Sequence, residues 1–353
     1  TRKRIDPVVL AAFGCIVALL LIGSLYSSNF LSPAYLVQQL QVASFLGVIT
    51  SGLMLVVLLG HIDLSIPWVV AMGGMMSTAA GGWGGIGPAV AIPIGIASGL
   101  GIGLLNGLGV AYLRVPSMIF TLATNVIVQG LMVVHTSGFA PQDRATDAMH
   151  LIAVGRSLAG IPNTVWVWLT VGLFVVVSLT RSIFGRRVYA IGNCESAAYL
   201  SGVDTRRVTL ACFAISGACA AFAGVLLAGY STHAYQAMGD PYLLPAIAAV
   251  VLGGTSILGG RGTFLGTIAG ARAPIAAELA AARRRTGRPI AVNLLLPFVR
   301  RQALLDRGRI AFRVWPNDCD LNLHLNNGRY LTFMDLGRVH LLAQIGLLGE
   351  LWR

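Results

Sequence analysis

The sequence predicts an all-α polytopic membrane protein with about eight complete transmembrane helices, a truncated ninth, and a short, incomplete α+β tail. Three observations carry this expectation. Apolar residues make up 56% of the 353-residue chain and charged residues only 11%, against roughly 25% charged in a soluble domain. The apolar residues are gathered into runs of about twenty, the length an α-helix needs to cross a bilayer. The charges are also divided unevenly: residues 1–271 hold 12 Lys/Arg and 7 Asp/Glu, whereas residues 272–353 hold 13 Arg and 6 Asp/Glu. Two kinds of sequence therefore meet near Ala271, with a membrane part over 1–271, a junction over 272–291 and a tail over 292–353.

Residues 7–26, behind the basic Arg2-Lys3-Arg4, form the first expected span. Their apolar run is long for a signal-peptide core and shows no small-residue cleavage site. Residues 34–59, 64–80, 87–112, 117–135, 163–179, 208–229 and 241–258 supply seven more, and Thr263 opens a ninth whose uncharged stretch ends at Ala271. Alternating from an inner N-terminus puts ten of the twelve basic residues of 1–271 on the inner side, leaving only Arg144 and Arg156 outside. A missed or added helix would scramble that parity, so the positive-inside bias checks the count. It also accounts for the front-half charges within the net +12 without a nucleic-acid partner.

Within the fourth run, Gly95, Gly99, Gly103 and Gly107 recur every four residues down one helical face, a seam that admits another helix closely. Pro67, Pro88, Pro93, Pro241 and Pro245 suit a transporter with interrupted helices better than a simple anchor. The five cysteines, Cys15, Cys194, Cys212, Cys219 and Cys319, show no metal or disulfide spacing, and no metal site is expected. No phosphate-binding lysine motif occurs, so any ATP that drives the protein is hydrolysed on another subunit.

Few polar side chains interrupt the apolar runs. Asp63, in "LLGHIDLSIPW", is costly there unless hydrated or paired, and reads either as a residue of a transport pathway or as a cap on the helix that follows. Asn125 and Gln129 share one face of the fifth run, near Thr121 and Thr124, and either line a hydrated pathway or bond across to another helix. Asn106, near a helix end, reads as structural. The long inner loop 181–207 holds Arg186 and Arg187, then a short helix expected over 195–201 with Asn193 as its cap and Gly202 as its stop. With Glu195, Ala198 and Leu200 it makes a docking piece for a cytosolic partner, or else a solvated loop.

The segments "GHIDLS", "NGLGVAYLRVPSMIFTLAT", "FGRRVYAIGNCESAAYLSGV" and "PAIAAVVLGGTSILGGRGTFLGT", in that order, resemble the permease subunits of ribose-type and related simple-sugar ABC importers over about residues 5–271. The resemblance implies a multi-pass protein of the bacterial inner membrane that pairs with a second permease copy. It further implies an extracytoplasmic sugar-binding protein and cytosolic ATPase subunits that hold ATP and Mg, with no cofactor on this chain. "FGRRVYAIGNCESAAYLSGV" matches the family's ATPase-facing loop. The chain departs from the family at Gly60-His61, where a glycine pair is usual, and at Pro67, where glycine is common.

The tail has a short alternating run (Ile310, Phe312, Val314), a break at Pro316-Asn317, and an amphipathic helix expected over 327–348. Its "NDCDLNLHLNNGRYL" resembles the opening of hotdog-fold acyl-CoA thioesterases of the 4-hydroxybenzoyl-CoA type over about 292–348, with Asp320 matching the catalytic aspartate. One strand and one helix bury too little to make that fold, so the expectation is a sugar permease joined to an incomplete cytoplasmic tail, a fusion of two truncated frames in which truncation can impair transport. The alternatives are a membrane-tethered acyl-CoA thioesterase and a fusion product with neither activity.

Overall fold

The computed structural model describes residues 32–262, apart from 139, 140, 142, 158 and 159. Among these residues the fold is helical, with an isolated bridge between Arg144 and His233 as its β-type pairing. The first expected span (7–26), the ninth and the whole tail lie outside the described residues.

Helix α1 (Pro33–Leu58) starts where Ser32 accepts the Tyr35 N–H at 3.3 Å and Pro33 presets the first turn. It is apolar on all sides, and its residues from Ala43 onward are buried, as befits a central helix. Helix α2 (Ile66–Gly81) is also largely buried, but its 16 residues reach only about 24 Å, short of a hydrocarbon core of about 30 Å. Helix α3 (Gly87–Ala111) contains Pro93, and α4 (Ser117–His135) begins directly behind Pro116. A short helix α5 (Asp147–Val154), capped by the Thr146 hydroxyl on Met149 N–H at 3.3 Å, precedes α6 (Asn163–Arg181). Helices α7 (Ile183–Asn193) and α8 (Glu195–Leu200) fill most of the long loop before α9 (Thr205–Ser231). A 3-10 turn (Asp240–Tyr242) leads into α10 (Leu243–Leu252).

Five of the described helical segments are long and apolar enough to cross a membrane: Pro33–Leu58, Gly84–Ala111, Ser117–His135, Asn163–Arg181 and Thr205–Ser231. The expected span over 241–258 holds a described helix shorter than a crossing. Its helix stops at Leu252, because the chain turns at Gly253-Gly254, where Gly254 takes φ +87°, and again at Gly259 and Gly260. Ten helical residues rise about 15 Å, half a crossing.

Helices α1, α2 and α9 form the middle of the bundle, and α3 packs on α9 through the glycine seam. Gly99 lies against Gly217 and Ala221, and Gly103 against Phe213 and Ala214. A Cβ at Gly107 would stand 2.8 Å from Leu210 Cα, and one at Gly95 2.7 Å from the Gly73 carbonyl. Backbone therefore meets backbone along this seam, and dispersion between close helices replaces the hydrophobic drive that lipid cannot supply. By contrast, α4 and α6 expose Ile119, Ile127, Val134, Leu173 and Phe174, the surface of helices solvated by lipid or a neighbouring protein.

Two ends of the bundle are distinct. At one end the α1–α2 turn meets the α7–α8 segment and the loop after α10: Gly260 N–H donates to Leu58 O at 2.9 Å, and Tyr189 Oη donates to Gly262 O at 2.9 Å. Partial burial raises the Tyr189 phenol above its ordinary value. At the other end Ala145 N–H donates to Thr232 O at 2.9 Å and Gln236 Nε2 to Thr136 Oγ1 at 3.0 Å.

Candidate functional site

Helix α2 begins inside the bundle, where its first N–H groups cannot be left to water. Side chains supply the acceptors. Asp63 Oδ1 accepts both the Ser65 N–H (3.0 Å) and the Ser65 hydroxyl (2.6 Å). The Ser216 hydroxyl of α9 donates to Asp63 Oδ2 at 3.1 Å, and Asn106 Nδ2 of α3 donates to Ser65 Oγ at 2.8 Å. Asp63, Ser65, Asn106 and Ser216 are all buried, and no cation pairs with Asp63 among the described residues. The carboxylate thus ties the α1–α2 turn to α9 directly and to α3 through Ser65. Such a buried network holds one arrangement firmly because each lost partner strands another polar group.

Helix α4 completes the job from the other side. Ser117 Oγ accepts Ile62 N–H at 3.3 Å, Thr121 Oγ1 accepts Leu64 N–H at 3.0 Å, and Asn125 Oδ1 accepts Trp68 N–H at 3.3 Å. These three side chains are four residues apart on α4, one helical stripe running beside the start of α2. Asn125 therefore bonds across to a neighbouring helix. Gln129, the next residue on that stripe, is exposed and makes no hydrogen bond among the described residues. His61 lies beside this network, its ring tilted on Phe213 at 6.0 Å between centroids.

The second group of expected residues gathers at the α7–α8 end. Glu195 opens α8 and pairs with Arg114 at 2.8 Å, while the Thr205 hydroxyl donates to the same Glu195 oxygen at 3.2 Å. Ala198 is buried and holds α8 to the bundle, whereas Leu200 is 84% exposed and Tyr199 68%. Gly202, at φ +82°, turns the chain out of α8 as expected. Arg186 and Arg187 are exposed and have no ion pair among the described residues. Asn193 is not the cap of α8: it ends α7, its Nδ2 donates back to Tyr189 O at 2.9 Å, and Cys194 occupies the cap position without a side-chain bond. The expected helix over 195–201 ends one residue earlier, at Leu200.

No set of three or more His, Cys, Asp or Glu among the described residues is arranged to hold a metal ion. Asp320 lies outside the described residues. The sequence pattern marked none of Ser65, Ser216, Arg114 and Tyr199 as a site residue. The four-residue spacing of Ser117, Thr121 and Asn125 is the signal from which the stripe on α4 could have been found.

Residues 35–277 match the family model described as branched-chain amino acid transport system / permease component. The chain belongs to this permease family. It is 36% identical over 253 residues to the ribose import permease protein RbsC of Bacillus subtilis (strain 168), covering 71% of this chain and 78% of that protein. It is 32% identical over 249 residues to the D-allose transport system permease protein AlsC of Escherichia coli (strain K12), covering 70% and 76%. A third relative, the inner membrane ABC transporter permease protein YjfF of Escherichia coli (strain K12), is 31% identical over 232 residues, covering 64% and 69%. Residues 314–353 match the thioesterase-like superfamily, so two unrelated families share this chain. No solved structure matches it.

Proposed function

We propose that the chain is the membrane-spanning permease subunit of an ATP-driven importer for a monosaccharide such as ribose or a related simple sugar. The observation that carries this reading is the permease match over 35–277 together with relatives, 36% and 32% identical, that are named for ribose and D-allose. The family description speaks of branched-chain amino acids, but the similarity to sugar permeases over 253 and 249 residues favours a sugar cargo. In this reading the chain lies in the bacterial inner membrane with its N-terminus inside and pairs with a second permease copy. A sugar-binding protein delivers cargo outside, and cytosolic ATPase subunits hold ATP and Mg.

The site residues divide by role. Asp63 and Asn125 hold the start of α2 in place beside the pathway, and Gln129, whose amide is unspent, meets the cargo. The α7–α8 end faces the cytosol, where Arg186, Arg187, Glu195, Ala198, Leu200 and Gly202 form the ATPase-coupling segment. Leu200 and Tyr199 project as its contacts, and Ala198 anchors it. Residues 314–353, with Asp320 among them, carry the thioesterase-like match and take no part in this reading.

The test is uptake of radiolabelled ribose and allose by cells that lack their own ribose permease and express this chain with its partner subunits. Uptake that disappears when the ATPase is inactivated supports the reading. No uptake of either sugar from a chain shown to reach the membrane rejects it.

A further inference from the structure

Arg114 stands in the tight connection between α3 and α4 with φ +57°, in the left-handed region that normally favours glycine. The connection is closed without its side chain: Leu113 N–H donates to Leu108 O at 3.3 Å and Val115 N–H to Gly109 O at 3.2 Å. An arginine therefore occupies a position where the backbone prefers none, and its guanidinium is used elsewhere, on Glu195 of α8 at 2.8 Å. A second link lies beside the first, with the Arg206 guanidinium at the start of α9 standing 5.6 Å over the Tyr112 ring. Both partners in the ion pair are about half exposed, so the pair adds little to stability, and its value lies in what it joins.

It joins the first residue of α8 to the foot of α4. Three residues after Arg114, Ser117 begins the stripe that accepts Ile62 N–H, Leu64 N–H and Trp68 N–H around Asp63. The chain of contacts is continuous: α8, Glu195, Arg114, the first turn of α4, the start of α2 and the buried Asp63–Ser65–Asn106–Ser216 knot.

We propose that Arg114 is a positioning residue that transmits displacement of α8 to α4 and so to the start of α2. This rests on the permease reading above, and it adds the element through which the coupling segment acts. The turn itself is suited by glycine, and only the arginine side chain makes the link.

The strain supplies the discriminating variant. Arg114→Gly relaxes the backbone and removes the link, Arg114→Lys keeps the charge, and Glu195→Gln keeps the bond from Thr205 while removing the charge. The full chain, reconstituted with its partner subunits and offered radiolabelled ribose or allose, is measured for sugar taken up per ATP hydrolysed and for melting temperature. For Arg114→Gly and Glu195→Gln the ratio is expected to fall at least about fivefold. The Arg114→Gly protein melts no lower than wild type, and Arg114→Lys stays within about twofold of the wild-type ratio. Wild-type coupling in Arg114→Gly overturns the proposal, as does a melting temperature that falls together with uptake or a lysine variant as impaired as the glycine one. Wild-type protein that takes up neither sugar overturns the permease reading and this proposal with it, and does so before any variant is compared.

Discussion

Replacing Asp63 separates its structural role from a direct role in transport. In Asp63→Ala, three donors lose their acceptor: the Ser65 N–H, the Ser65 hydroxyl and the Ser216 hydroxyl, all at buried residues. Each stranded donor costs about 1–3 kcal/mol, so the variant should lose at least about 3 kcal/mol unless water enters. Asp63→Asn keeps one carbonyl oxygen in the Oδ1 position, and its amide can donate to Ser216 Oγ, so all three contacts can be re-formed and the loss should not exceed about 1 kcal/mol. The assay is thermal or denaturant unfolding of the purified protein in one detergent, followed by uptake measurements on whichever variants remain folded. The expected order is wild type, then Asn, then Ala, with a gap of at least about 2 kcal/mol between the two variants. Equal stabilities for Ala and Asn would refute the assignment of Asp63 as the acceptor that fixes this turn. A stable Asn variant that does not transport would show that the carboxylate also acts on the pathway.

Three further outcomes are expected. Gly99→Leu places a branched side chain against Gly217 and Ala221, where no volume is available, so α3 and α9 cannot seat; the protein should fail to give a monodisperse peak in size-exclusion chromatography, whereas Gly101→Leu, which meets nothing within 4 Å, should not. Asn125→Ala strands the Trp68 N–H and should lower stability by about 1 kcal/mol, while Gln129→Ala should leave unfolding unchanged and weaken uptake, as read by the two assays on the same preparations. Leu200→Asp should leave the melting temperature unchanged but abolish co-purification with the ATPase subunit, whereas Ala198→Asp, buried at the base of α8, should destabilise the fold itself.

Composition and periodicity made most of the bundle legible. Runs of apolar residues located α1, α3, α4, α6 and α9 within a few residues, because crossing a bilayer demands length and apolarity whatever the neighbours are. The glycine spacing disclosed the seam on α3, although not that α9 fills it. The half-length α10 was hidden, since hydropathy counts side chains and does not see that Gly254, Gly259 and Gly260 turn the backbone. Helices α5 and α7 were hidden for a related reason: both are short, partly polar segments whose helicity depends on packing, α7 burying Gly185, Val188 and Ile191 on one side. At the site, Asp63 and Asn125 were recognisable as costly residues, but their partners lie far off in the chain. Ser216 is 153 residues from Asp63, and Trp68 is 57 from Asn125. A single sequence gives the cost of a buried polar group without naming what satisfies it.

The most direct test of the account is transport by the reconstituted complex. Vesicles containing this chain and its ATPase partner, with ATP and Mg on the ATPase side and the cognate binding protein on the other, are offered labelled ribose, allose or leucine in turn. ATP-dependent accumulation of a sugar and none of leucine is expected. Accumulation of leucine without sugar would contradict it and place the chain with the amino-acid carriers that its family description names.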